Sequence, residues 1–345
     1  MKKERNLFEY EFRMDKLTKI GDPLLKLEKN IPWENLFKKM LKKALKKAPK
    51  GLGGRPAYDY IMMFKVLILQ RFYNISDDQM EYQLNDRLTF QRFLGVKISD
   101  DVPDATTIWR FREVLTEKGA IKKLFDQFNK YLDETGIVVN EGSIVDASFV
   151  DVPRQRNSKE ENKSIKEGSI PKEWEKEKNK NKLAKKDTDA RWTKKRNETH
   201  YGYKNHTKAG GKSKLIKEYT VTDASVHDSQ ELENLLDDTD KGKRLYGDSA
   251  YKSKEVDDLL ARRGIKNKIH EKGYRDHPLS EKQKKQNKKK SSIRVRVEHI
   301  FGFIENSMGG SFIRSIGKKR AEGIIGLMNL TYNMFRFEQF TRRYA

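Results

Sequence analysis

The run Ile144-Val145-Asp146-Ala147-Ser148-Phe149-Val150, bounded by Gly142 and Pro153, sets a carboxylate in the middle of β-branched and aromatic residues. Such a run reads as a buried strand. An uncompensated charge inside it would cost several kcal/mol, so Asp146 must be ion-paired, hydrogen-bonded or bound to a metal. Asp146 is therefore the first candidate ligand of a metal site, and the fold has to bring partners to it. Two later segments can supply them, Leu245-Tyr246-Gly247-Asp248-Ser249 and the helix-patterned run around Glu298.

The charge balance says what such a site would face. The chain has 345 residues, with 74 Lys+Arg against 51 Asp+Glu, a formal charge of +23. That excess predicts a polyanionic partner, nucleic acid before any other. There are no cysteines, which excludes disulfides and thiolate metal sites. The first residues are charged with no apolar run after them, and no stretch approaches the roughly 18 apolar residues of a membrane span. No membrane partner and a cytoplasmic location are the expectation.

Along the chain, residues 1–135 read as an all-helical domain. Trp33, Phe37, Leu41 and Leu45 recur at spacing four in a helix over 33–47, Pro49 to Pro56 interrupts it, and a helix that is apolar nearly all round begins near Tyr58. Ser76-Asp77-Asp78-Gln79 has the pattern of a capping box, with Ile75 and Met80 as its hydrophobic staple. Pro103-Asp104 opens a further helix whose Arg110 and Arg112 could reach a DNA groove, as in a helix-turn-helix, or lie solvated on a plain bundle.

From Gly136 the texture changes to strands, and residues 136–345 read as a second, α/β domain. A polar, basic segment at about 154–199 reads as an insertion, partly disordered without DNA. Its Trp192, among Arg191, Lys194, Lys195 and Arg196, could stack on a base or pack back on the domain. His200 to His206 and Leu215 to Thr222 form a hairpin, and a strand over 244–246, a helix over 252–263 and a strand over 265–269 follow. A hairpin followed by alternating strands and helices gives a mixed sheet covered by helices.

Wound at 3.6 residues per turn, residues 291–308 gather Ile293, Val297, Ile300, Phe301, Ile304 and Met308 on one arc. Ser291, Arg294, Glu298 and Glu305 fall on a stripe at its edge, while His299 faces another side. Arg294 lies one turn before Glu298, placed for an ion pair or for a DNA phosphate. Two aspartates and a glutamate suit phosphodiester chemistry, in which two Mg²⁺ ions about 3.5–4 Å apart neutralise the attacking and leaving oxygens. Asp151, Asp223 and Asp228 compete for the same roles on spacing alone. The cations around 282–296, Lys288, Lys289, Lys290, Arg294 and Arg296 among them, are suited to holding phosphates without sequence preference.

The stretches IVDASFVDVPRQRN, HYGYKNHTK, YTVTDASVHDSQ, YGDSAY and RVRVEHIFGFIENSMGG, in this order, resemble the insertion sequence five family of bacterial DDE transposases. The N-terminal GGRPAYDYIMMFKVLILQRFYNISDDQMEYQLNDRLTFQRFLG resembles the helical domain that precedes catalysis in that family. The resemblance implies an RNase H-like catalytic core with Asp146, Asp248 and Glu298 as acidic triad and metal ligands. It further implies two Mg²⁺ ions replaceable by Mn²⁺, double-stranded DNA (transposon ends and target) as partner, a homodimer or higher oligomer in the synaptic complex, and a nucleoid-associated location. Two departures stand out. A Tyr-x₂-Arg-x₃-Glu-x₆-Lys signature in relatives is met here by Arg294 and Glu298, but Ser291 holds the Tyr position and Glu305 the Lys position. Fifty positions separate Asp248 from Glu298, too few for the large β insertion of some relatives. A metal-dependent nuclease without strand transfer and a decayed, non-catalytic DNA-binding protein are the alternatives.

Overall fold

In the computed structural model, residues 8–45, 57–136, 142–195 and 197–344 are described. They fall into two compact units, one of residues 1–131 with 330–345, the other of residues 132–329.

The first unit is helical. Its elements are α1 (Glu9–Ile20), α2 (Pro23–Asn30), α3 (Trp33–Leu45), α4 (Tyr60–Phe72), α5 (Asp77–Asp86), α6 (Leu88–Leu94), α7 (Ala105–Glu117) and most of α8 (Ala120–Glu134). Helix starts follow the local chemistry, since Asp59, Ser76 and Asp104 each accept backbone N–H groups at the heads of α4, α5 and α7. At Ser76 the serine half of the expected box forms, and the neighbouring Asp77 turns to Gln70 and Arg112. Residues 61–70 of α4 are all buried, which explains their lack of a polar face. Even Lys65 is buried, paired with Glu28 at 2.7 Å and set over the rings of Trp33 and Phe93. The interruption at Pro49–Pro56 lies outside the described residues.

Sheet order defines the second unit. Its strands are β1 (Ser143–Asp151), β2 (Arg191–Lys195), β3 (Glu198–Gly210), β4 (Ile216–Asp223), β5 (Arg244–Tyr246) and β6 (Lys266–Asn267). The order is β2-β3-β1-β5-β6, and β4 pairs the part of β3 that β2 leaves free. β3 runs antiparallel to β1, β2 and β4, whereas β1, β5 and β6 are parallel. Two antiparallel neighbours followed by two parallel ones is the RNase H-like arrangement, so the α/β class and mixed sheet read from the sequence hold. Helices α12 (Leu232–Leu235) and α13 (Lys254–Arg262) pack Leu232, Leu235, Val256 and Leu260 against Val145, Leu245 and Ile269. Burial of this kind is worth about 1.5–3 kcal/mol per large apolar side chain. α14 (Glu281–Gly302) lies on β1 and β5, and α15 (Lys318–Tyr344) closes the chain. No helix among the described residues is long and apolar enough to cross a membrane.

Two expectations are corrected. Residues 154–199 hold ordered elements, namely α9 (Lys159–Lys166), α10 (Lys172–Glu175), α11 (Lys180–Leu183) and β2. Ser158 and Glu161 form a reciprocal capping box on α9, and the fully buried Trp174 donates its indole N–H to Glu161 at 2.6 Å. A few anchors thus suffice where the polar composition suggests none. Residues 291–308 are also not one uniform helix, since a π-turn over Phe303–Ser307 follows Gly302. The wider turn breaks the spacing that would stack Glu305 over Glu298, and burial raises the Glu305 pKa.

Candidate active site

Strand register brings the first two acids together. β1 and β5 pair in parallel up to Ile144 opposite Tyr246, so Asp146 and Asp248 each follow the last paired residue by two positions, and the charge of Asp248 reaches Asp146. The close approach depends on glycine. A side chain at Gly142 would place Cβ 2.7 Å from the Arg244 carbonyl oxygen, and one at Gly247 would press on Val145 and Tyr251. Immediately after Gly247, Asp248 turns out of the strand and accepts the Ala250 N–H at 2.8 Å, capping a single helical turn.

Asp146 is only 8% exposed. Burial pushes its pKa up to about 6; the N–H of Ala147 and the guanidinium of Arg294 pull it down, and the charge of Asp248 pushes it up again. The two aspartates therefore feel one another. Arg294 is the compensating group that the buried strand requires, with one nitrogen donating to Asp146 Oδ2 and the other to Glu298 Oε1, each at 2.8 Å. Charge-assisted bonds of this kind are about twice as strong as neutral ones. Glu298 reaches the site through this bridge, from a side chain that is 54% exposed.

The competing aspartates are engaged elsewhere. Asp228 is held by Lys204 at 2.8 Å, Asp223 accepts from the Ser225 backbone, and Asp151 faces His200 at 3.4 Å. Two residues that sequence reasoning passed over also belong to the site. Tyr251 is fully buried with no hydrogen-bond partner for its hydroxyl among the described residues, and its pKa is driven well up, first by burial and then by Asp146, Asp228 and Asp248. His270, three residues past β6, lies 3.4 Å from Ser291; burial, Arg294 and Lys290 lower its pKa against the pull of Asp248. The repeated tyrosine of YGDSAY was the available signal for the first; nothing local marks the second.

The cations suited to phosphates divide into free and engaged. Lys288, Lys289 and Arg110 are exposed. Lys290 donates to the Ile269 carbonyl at 2.6 Å, and Arg296 donates to the Gly211 carbonyl in the turn between β3 and β4. Arg112 is not available to a groove, because Asp77 holds it bidentately at 2.7 Å and Gln70 adds a third bond. Arg294 likewise serves carboxylates here, not a phosphate. Trp192 packs back on the domain, 4.7 Å from Tyr201, and stays 45% exposed under Arg154. His299 is exposed on α14.

Among the described residues, no three of His, Asp and Glu are gathered closely enough to hold a metal ion in this conformation. The donor set nevertheless fits a hard divalent cation. Asp146 and Asp248 are hard oxygen donors close enough to feel one another's charge, and a cationic group already sits between Asp146 and Glu298.

A family model described as "Transposase domain" matches residues 12–114, and one described as "Transposase DDE domain" matches residues 139–334, more than half of the chain. DDE transposase domains generally use divalent metal ions. Among solved structures, the chain is similar to one in a cryo-EM structure of the piggyBac transposase synaptic complex with hairpin DNA. Identity there is 12% and the TM-score 0.46, over 95% of this chain and 77% of that one. On the family match, this chain belongs to the DDE transposases, and its pair of domains is typical of the insertion sequence five family.

Proposed function

We propose that this transposase binds the terminal inverted repeats of its own insertion sequence, cleaves the ends by metal-dependent phosphodiester hydrolysis and joins the 3′-hydroxyl ends to target DNA. What supports the reading most is the Arg294 bridge from Asp146 to Glu298, together with Asp248 lying near enough for its charge to raise the Asp146 pKa.

Asp146, Asp248 and Glu298 would hold the divalent cation, Mg²⁺ with Mn²⁺ as a substitute. When bound, a pair of such ions supplies charge neutralisation at the attacking and leaving oxygens. The chain's own residues do the rest. With its pKa near 6, Asp146 is mostly ionised at neutral pH and ready to act as an oxygen donor. Tyr251, whose hydroxyl feels the charges of Asp146 and Asp248, packs with Val145 and Ile269 in the buried apolar core. Arg294, once drawn off its carboxylates, presents a planar fork suited to a phosphate of the bound strand. Lys288 and Lys289 extend that positive face along α14.

End recognition falls to the helical unit, where Arg110 is exposed on α7. Two or more copies would pair the ends in a synaptic complex, acting on nucleoid DNA in the cytoplasm. The closed Arg294 bridge, with Ser291 and Glu305 at the Tyr and Lys positions of the signature, favours a non-catalytic, decayed DNA-binding protein instead.

The test incubates the protein and Mg²⁺ with a labelled duplex spanning the end of its element, comparing wild type with Asp248→Asn. Cutting at the boundary plus joined product, both lost in a variant that still binds, is the expected result. Cutting without joining would leave a nuclease, and metal-independent binding alone would leave the decayed protein.

A further inference from the structure

Past Asp151 the chain continues as Val152-Pro153-Arg154-Gln155-Arg156, and these residues line a cleft of about 290 Å³ together with Lys185, Lys186, Asp187 and the Arg314–Ile316 loop. Three arginines and two lysines thus face one space. The single carboxylate on the wall does not serve them. Asp187 is 1% exposed, and Tyr203 Oη donates to both of its oxygens at 2.8 and 2.9 Å. The backbone N–H groups of Asp189, Ala190 and Gly317 donate to it as well. None of the five cations is ion-paired among the described residues. Arg154 donates to the Thr199 carbonyl and lies over Trp192, while Lys186 donates to the Arg156 carbonyl and to Asn157. Gln155 Oε1 and Ser315 Oγ, on the same walls, have no hydrogen-bond partner among the described residues.

The walls are fixed to one another before any ligand arrives. Asp151 donates its N–H to the Ser311 carbonyl at 2.8 Å and its carbonyl accepts from Ile313 at 2.9 Å, which stitches the 311–316 loop to the end of β1. Asp187 and Asp189 then tie residues 317 and 318 to the 185–190 stretch through backbone bonds of 3.0 and 2.8 Å. Holding five like charges in one rigid space raises the energy of the free protein through mutual repulsion. A ligand carrying several negative charges reverses that cost. The cleft is at or below the size of sites that bury drug-sized molecules, so it suits phosphate groups of a chain passing over it.

We propose that this cleft grips the phosphate backbone of duplex DNA. Arg154 lies eight positions beyond Asp146 on one extended run, at most about 26 Å away at roughly 3.3 Å per residue. At about 3.4 Å per base pair, the gripped phosphates lie within about eight base pairs of the bond that Asp146 addresses. That location rests on the function proposed above; the grip itself does not.

The test measures DNA affinity by fluorescence anisotropy across a salt series, using a labelled duplex of the element's end. Replacing Arg154, Arg156 and Arg314 together by Gln should make the slope of log affinity against log salt shallower by about two to three, near one phosphate per residue. The same three positions changed to Lys should keep the slope, which separates lost charge from a damaged fold. An unchanged slope in the Gln variant overturns the proposal, as does saturable binding of inorganic phosphate by wild type without any change of slope on mutation. For location, Arg156→Cys in this cysteine-free chain takes a tethered iron chelate. Strand scission confined to about eight base pairs from the element's end supports the placement, and scission spread evenly along the duplex overturns it. A chain that cuts no DNA yet shows the slope change loses the proposed catalysis and keeps the cleft.

Discussion

Lys208 sits near the end of β3, opposite Val145, with its ammonium fully buried. It donates to Asp240 at 2.7 Å and to Asp237 at 2.5 Å. Asp240 is 3% exposed and also accepts from Ser143, the first residue of the strand that carries Asp146. The ion pair therefore fastens β1, β3 and the chain before β5 at one point. Lys208→Met removes the cation and leaves the Asp240 charge buried with only the Ser143 hydroxyl and the Asp237 N–H. Breaking a buried pair from one side costs about 3–5 kcal/mol. The two remaining donors, and the partial exposure of Asp237, put this case near 3 kcal/mol. Asp240→Asn added to Lys208→Met removes the orphaned charge and should restore most of the loss, giving a coupling of about 2 kcal/mol. Urea unfolding followed by far-UV circular dichroism measures the stability, and amide exchange in peptides covering β1 and β3 locates the change. A single variant within about 0.5 kcal/mol of wild type, or a double variant no better than the single, would refute the argument.

Two further perturbations address pH and the arginine bridge. His206 is fully buried, its Nδ1 lacks a partner, and burial lowers its pKa from 6.5 to about 4. The native state thus binds fewer protons than the unfolded one between those values, so this share of stability is intact above 6.5 and drains away as pH falls towards 4. The stability difference between wild type and His206→Gln should shift by about 2 kcal/mol against wild type between pH 7.5 and pH 5, and a pH-independent difference would contradict it. Arg294→Met should lower stability by about 2 kcal/mol without metal, through loss of its bond to buried Asp146, while Mn²⁺ binding measured by electron paramagnetic resonance tightens several-fold. Weaker Mn²⁺ binding in that variant would show that Arg294 assists the cation instead of holding its place.

What the sequence revealed depended on how local the determining physics is. The helix starts at Ser76 and Asp104 and the buried character of α4 are decided within a few residues, and they were readable. The hairpin of β3 and β4 and the strand carrying Asp146 were readable for the same reason, from alternation and turn residues. Arg112 looked like any exposed helical arginine, because its partners Asp77 and Gln70 lie on other helices. The order around 154–199 rests on one buried indole and a reciprocal cap, which a charged composition conceals. The membership of residues 330–345 in the helical unit had no local signal at all. At the site, spacing alone could not choose among six aspartates and glutamates; resemblance selected three, and of the others Asp151 faces His200, Asp228 pairs with Lys204, and Asp223 is taken up locally by Ser225.

If Asp146, Asp248 and Glu298 are metal ligands in DNA cleavage, as proposed, a change of ligand softness must change which metal supports activity. Asp248→Cys and Glu298→Cys can be made singly in a chain without other thiols. Hard Mg²⁺ binds thiolate poorly, whereas the softer Mn²⁺ accepts it. End cleavage by each variant should be lost in Mg²⁺ and recovered in Mn²⁺, with wild type active in both. Variants that stay inactive in Mn²⁺ while binding DNA as wild type does, or that remain active in Mg²⁺, would contradict the assignment.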